Sequence, residues 1–144
     1  MSRPVLNIKR IYILMRKALD ERFSEYGLTT SQFEILGYLY NAGSMEQQKL
    51  QRCTAITPAT LTGLLDKLEQ RRYITRQQNV EDTRAKVVTI TADGHALLTR
   101  LIDVMHQFET DMLNGFTSSE KALLGDWLQR IAINLGDQEY GQCD

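Results

Sequence analysis

Cysteine and proline are scarce in this 144-residue chain, with two of each. Cys53 and Cys143 stand 90 positions apart and are too few for a disulfide scaffold or a four-thiolate zinc site. No Pro/Gly-rich stretch, internal repeat or low-complexity segment occurs, which excludes fibrous and disordered classes. No apolar run approaches the ~18 residues of a membrane span, and residues 1–10 carry charge without the apolar stretch of a secretory signal. The expected compartment is therefore the cytoplasm, without a membrane partner. A Gly-rich phosphate loop, a paired-carboxylate motif and a nucleophile–base–acid grouping are all missing, so the chain does not read as an enzyme. His95 and His106 have no carboxylates or thiols arranged beside them as ligands, so neither metal nor cofactor is expected.

What is present is a globular balance, 42% hydrophobic and 24% charged, at a length that suits one domain or one subunit of an interlocked oligomer. The net charge of −1 hides an asymmetry. Residues 1–48 carry 6 basic and 5 acidic side chains, residues 49–86 carry 8 and 4, and residues 87–144 carry 3 and 9. Positive charge in the middle and negative charge at the end point to a polyanionic partner touched by one part of the fold.

Apolar spacings of three and four predict a helix over residues 5–26, with Ile8, Ile11, Tyr12, Met15, Leu19 and Phe23 on one face and Gly27 as its stop. Thr29 or Thr30 caps a second helix carrying Phe33, Leu36, Leu39 and Tyr40, which closes at Asn41-Ala42-Gly43. Ser44-Met45-Glu46-Gln47 reads as a capping box for a short third helix ending near Cys53. Thr57-Pro58 starts a fourth, because proline at the first helical position gives up an N–H that has no partner there anyway. Its leucines Leu61, Leu64, Leu65 and Leu68 face inward, and Thr60, Thr62, Lys67, Gln70 and Arg71 outward. Only Thr54, Ala55 and Ile56 separate the third and fourth helices, the spacing of a helix-turn-helix. Tyr73-Ile74-Thr75 and residues 86–90 predict a two-stranded hairpin with a long loop. Thr91 then caps a long helix whose Leu98, Leu101, Met105, Phe108 and Met112 form an a/d stripe. A second capping box, Thr117-Ser118-Ser119-Glu120, opens a last helix that ends before Gly136, and residues 137–144 read as a flexible tail.

This order resembles the MarR family of winged-helix transcriptional regulators. The stretch Thr57-Pro58-Ala59-Thr60-Leu61-Thr62-Gly63-Leu64-Leu65-Asp66-Lys67-Leu68-Glu69 is similar to the family's recognition helix. Asp82-Thr83-Arg84-Ala85-Lys86 and Thr89-Ile90-Thr91-Ala92-Asp93-Gly94 resemble its wing and the exit from it. Gly63 departs from the family pattern where a basic or polar residue is frequent, and Arg72 where a turn glycine is usual. The resemblance implies a mostly α fold with a small β-hairpin wing. It places a winged helix-turn-helix at about 28–92 and a dimerisation bundle of N- and C-terminal helices at 1–27 and 93–136.

The function implied is that of a homodimeric regulator, most simply a repressor, reading a palindromic operator in double-stranded DNA. A helix fits the ~12 Å major groove, so Thr57, Pro58, Ala59, Thr60, Thr62 and Gly63 are the candidate base-facing residues. Lys67, Arg71, Arg76 and Lys86 are candidates for phosphate, and Arg84 for the minor groove with Asp82 orienting it. The plainer reading of Asp82 and Arg84 is an exposed ion pair. The stripe of residues 98–112, with the amphipathic first and last helices, exceeds the needs of a small core and is expected to be buried between subunits. Family members commonly release DNA when a small aromatic or lipophilic effector enters a cleft, for which Tyr12, Met15, Phe33, Met105 and Phe108 are candidates, each also readable as core. Cys53 is expected to be a packed, inert thiol. The alternatives are a redox-responsive regulator using Cys53, or a winged-helix module that contacts another protein.

Overall fold

A computed structural model describes residues 3–139 and 141–143. The elements run α1 (Arg3–Ser24), α2 (Thr30–Ala42), β1 (Ser44–Glu46), α3 (Gln47–Thr54), α4 (Pro58–Gln70), β2 (Ile74–Gln78), β3 (Lys86–Ile90), α5 (Ala92–Met112) and α6 (Ser118–Asn134). The mostly helical winged-helix architecture matches the expectation. The anticipated side-chain caps form at three helix starts, those of α2, α5 and α6. Thr29 is the cap of α2: its hydroxyl accepts from Gln32 N, while the Gln32 amide oxygen accepts from Thr29 N. Thr30 turns instead to Asp20, donating from both its backbone N–H and its hydroxyl. Thr91 caps α5 through Gly94 N, and Thr117 with Glu120 forms the reciprocal box at α6.

Two starts differ from expectation. Ser44 does not cap α3, because Ser44–Glu46 is a strand: Met45 pairs with Val88 and its side chain is buried. The cap position passes to Glu46, which makes no side-chain bond there. The wing is therefore a three-stranded antiparallel sheet of order β1-β3-β2, not a two-stranded hairpin. At α4, Pro58 does occupy the first turn, but the Thr57 hydroxyl donates to Thr60 Oγ1 at 3.0 Å and leaves the helix amides alone.

A single core joins Leu19 and Phe23 of α1, Ile35, Leu36 and Leu39 of α2, Leu50 of α3, Leu61, Leu65 and Leu68 of α4, Val88 of the sheet, and Leu97, Leu98, Leu101 and Phe108 of α5. The a/d stripe of α5 is thus spent largely within its own chain, which corrects the expectation that it faces another subunit; Met112 alone of the stripe is exposed. The unpartnered apolar surface lies elsewhere. α6 buries none of its residues and exposes Leu123, Trp127, Leu128, Ile131 and Ile133. α1 likewise exposes Val5, Leu6, Ile8, Ile11, Ile13 and Leu14.

The cysteines also differ from expectation. Cys53 is bonded to Cys143, with Cα atoms 5.7 Å apart, and Arg52 Nε lies 3.6 Å from Glu139 Oε1. A separation of 90 positions along the chain set no bound on distance in space, because α6 brings its C-terminal end back to α3. Cys53 is neither free nor merely packed, and Cys143 is tethered to it.

Candidate nucleic-acid interface

The leucines at Leu61, Leu65 and Leu68 bury one side of α4, and the 3.6-residue period then turns Thr57, Pro58, Ala59, Thr60, Thr62, Gly63 and Lys67 to solvent. The Thr62 hydroxyl donates back to the Pro58 carbonyl at 3.0 Å, so its oxygen keeps acceptor capacity toward the outside. Beside α4 the wing loop is held by its own backbone: Asn79 N donates to Ala85 O and Ala85 N to Asp82 O. Asp82 Oδ1 accepts from Arg84 N at 3.0 Å and from Arg84 Nε at 3.3 Å. Asp82 therefore shapes the turn and aims a side chain that is 91% exposed. Lys86, at the base of β3, is exposed as well. An exposed polar helix face beside a projecting arginine loop is suited to a grooved polyanion.

Comparison with known proteins agrees. The model of the MarR family matches residues 28–86. The HTH-type transcriptional regulator PecS of Dickeya dadantii (strain 3937) is 31% identical over 131 residues, covering 89% of this chain and 79% of PecS. This chain belongs to the MarR family. Its relatives are named as transcriptional regulators rather than enzymes. The S. aureus MepR–DNA complex has a TM-score of 0.83 at 23% identity, covering 93% of this chain and 98% of that one. A Bordetella bronchiseptica BpsR structure, described in terms of regulation of DNA binding by 6-hydroxynicotinic acid, also scores 0.83 at 23% identity, covering 91% and 99%. At such identities these two establish the MarR fold alone.

Within the MarR frame, two of the anticipated phosphate ligands are engaged inside the chain. Arg71 donates to the Gly27 and Tyr26 carbonyls and lies over the Tyr73 ring at 5.0 Å, locking the α1–α2 turn to the exit of α4. Arg76 bonds Glu69 at 2.9 Å and also Asp66, with only 15% of its side chain exposed, which braces β2 against α4. The guanidinium holds the Glu69 carboxyl below its ordinary value, and the two carboxylates push Arg76 further up. Both residues are structural clamps here, not free cations.

Sequence reading missed the contribution of α3. Gln47, Gln48 and Gln51 line a polar groove of about 230 Å³ with Arg84, Ala85 and Lys86, so the start of α3 and the wing share one surface. The Gln47 amide oxygen is buried without a hydrogen-bond partner among the described residues. A signal existed in Gln47-Gln48-Lys49-Leu50-Gln51-Arg52, where one apolar residue anchors an otherwise polar helix.

The five effector candidates do not converge. Met15 and Phe108 line an apolar groove of about 380 Å³ between α1 and α5 with Ile11, Leu14 and Met112, and the Arg22–Asp111 pair at 2.9 Å is part of its lining. Phe33 instead stacks on Phe23 at 4.5 Å, Met105 packs against the core, and Tyr12 is exposed. Among the described residues no group of three or more His, Cys, Asp or Glu could hold a metal ion, and no helix is long and apolar enough to cross a membrane.

Proposed function

We propose that this MarR-family chain acts as a homodimer that binds a palindromic operator in double-stranded DNA, as a repressor released by a small aromatic or lipophilic molecule. The observation that carries the reading is the pairing of α4's exposed threonine and lysine face with Arg84, aimed outward by Asp82. The helix enters the major groove, where base pairs present distinct donor and acceptor patterns, and Arg84 enters the adjacent minor groove. Lys67 and Lys86 neutralise phosphates and fix the register. The winged helix-turn-helix spans about 28–92, with 1–27 and 93–136 supplying the dimer helices. The bare apolar faces of α1 and α6 support a second copy, which would set two recognition helices about one DNA turn, ~34 Å, apart. The MepR–DNA complex and the regulation of BpsR by 6-hydroxynicotinic acid are in keeping with DNA and a small aromatic ring as ligands. The groove containing Met15 and Phe108 is the effector site this chain offers.

Selection of bound duplexes from a random pool tests the reading. A two-fold symmetric consensus is expected, with binding that weakens steeply as salt rises. Indifference to every duplex in dilute buffer would overturn it.

A further inference from the structure

The tail is joined to the helix-turn-helix by a bond that DNA reading does not require. Cys53 lies in the last turn of α3, and Cys143 lies beyond the end of α6 at Asn134. Tyr38 donates its hydroxyl to the Cys53 carbonyl at 3.1 Å, so this turn is also pinned to α2. Around the bridge is a cleft of about 490 Å³, lined by Arg52, Ala55, Leu135, Asp137 and Glu139 among others. Residues 137–144 contain Asp137, Glu139 and Asp144 and no basic residue. The bridge thus holds an acidic segment against the end of α3, beside the turn at Ala55 that leads into α4, with Glu139 facing the Arg52 cation.

We propose that Cys53 and Cys143 are a reversible oxidation site that pins this acidic tail as a strap on the helix-turn-helix and weakens its hold on DNA. The inference rests on the DNA-binding reading. Arg52 is more than half exposed on α3 and is a natural phosphate ligand, and the strap offers it a carboxylate instead. The remaining tail carboxylates add repulsion toward phosphate. An exposed ion pair at 3.6 Å does not hold a tail in place by itself, whereas a covalent link keeps the carboxylates at high local concentration.

The oxidant is a hydroperoxide. The thiolate of one cysteine attacks the O–O bond, takes one oxygen as a sulfenic acid and releases an alcohol, or water where the oxidant is hydrogen peroxide. The second thiolate attacks that sulfur, forming the S–S bond and expelling hydroxide, which leaves as water after protonation. The two thiols together give up two electrons and two protons. A dithiol reverses the change by exchange through a mixed disulfide, and the tail is freed.

The test uses a duplex drawn from a random pool by the reduced protein, with affinity read by fluorescence anisotropy on the full chain. Peroxide-treated protein is expected to bind about tenfold more weakly than dithiothreitol-treated protein, with a salt slope shallower by about one phosphate contact. Cys143→Ser is expected to bind like the reduced protein and to ignore peroxide, and Glu139→Gln to recover part of the loss in the oxidised form. Equal affinities of oxidised and reduced protein, equal weakening of Cys143→Ser by peroxide, or a bridge mapped between subunits would each overturn the strap. When reduced protein and Cys143→Ser bind but oxidation changes nothing, only the strap falls. When no form selects any duplex, the DNA-binding reading falls and takes the strap with it.

Discussion

Arg72 sits at φ +61°, in the left-handed region where a side chain costs about 1 kcal/mol or more. Its backbone is in use there: Arg72 N donates to Glu69 O, and Arg72 O accepts from the Thr91 hydroxyl at 2.7 Å. Arg72→Gly keeps those bonds and relieves the strain, so after the entropy that glycine loses on folding it is expected to stabilise by roughly 0.5–1 kcal/mol. A urea midpoint that rises at unchanged slope checks this. Gly63 is the reverse case, since a Cβ built on it meets nothing within 4 Å. Close packing against α3 is therefore not what places glycine there. Gly63→Ala is expected to stabilise α4 by about 1 kcal/mol while lowering DNA affinity several-fold, because the added methyl stands on the exposed face. Affinity left unchanged would remove Gly63 from the interface. Gly94 shows what a required glycine looks like: a Cβ there would run into the Tyr73 carbonyl oxygen and, at 3.0 Å, the Ile90 side chain.

At the scale of the element, local motifs were legible where nothing competed with them. Thr91 and Thr117 cap as read, but Ser44 meets the edge of β3, and burial of Met45 with pairing to Val88 outweighs a surface cap. A three-residue strand is too short to show alternation, so no pattern announced it. Periodicity marked the apolar side of α5 without saying what covers it, and core residues of α2 and α1 do. Period also turned Arg71 outward but could not show that it clamps the α1–α2 turn.

Helix α2 carries an element-level consequence of its own. Burial pushes the Glu34 carboxyl above its ordinary value of 4.5, with Arg16 pulling the other way. A raised carboxyl ionises later in the fold than in the unfolded chain. Stability from this site therefore falls as pH rises from 4.5 through the raised value, and the penalty persists at neutrality. Glu34→Gln is expected to be more stable than the parent at neutral pH and to show no such falling limb, while the two proteins converge in acid. Urea melts across that range measure the difference. A constant gap at all pH values would remove the burial account.

For the whole molecule, a bridge closing a 90-residue separation restrains the unfolded chain, so reduction is expected to cost ~4 kcal/mol and lower the melting temperature by roughly 10 °C. The larger question is what covers α6. Leu124, Trp127, Leu128, Ile131 and Leu135 follow a three-four spacing, yet the helix fully buries none of its residues in its own chain, and Trp127 is 54% exposed. A side so apolar on a helix so free of intrachain packing is suited to a second copy. Placing charge there separates association from folding: Trp127→Asp with Ile131→Asp should leave the helical content of the single chain intact, because neither residue touches the core. Leu101→Asp, by contrast, would charge the core of the single chain and unfold it. Light scattering is expected to give two copies for the parent and one for the α6 variant. Operator affinity should then drop sharply, since a lone subunit reads one half-site and loses the gain from two linked contacts. A double-aspartate variant that remains a dimer at micromolar concentration would show that α6 is not the seam.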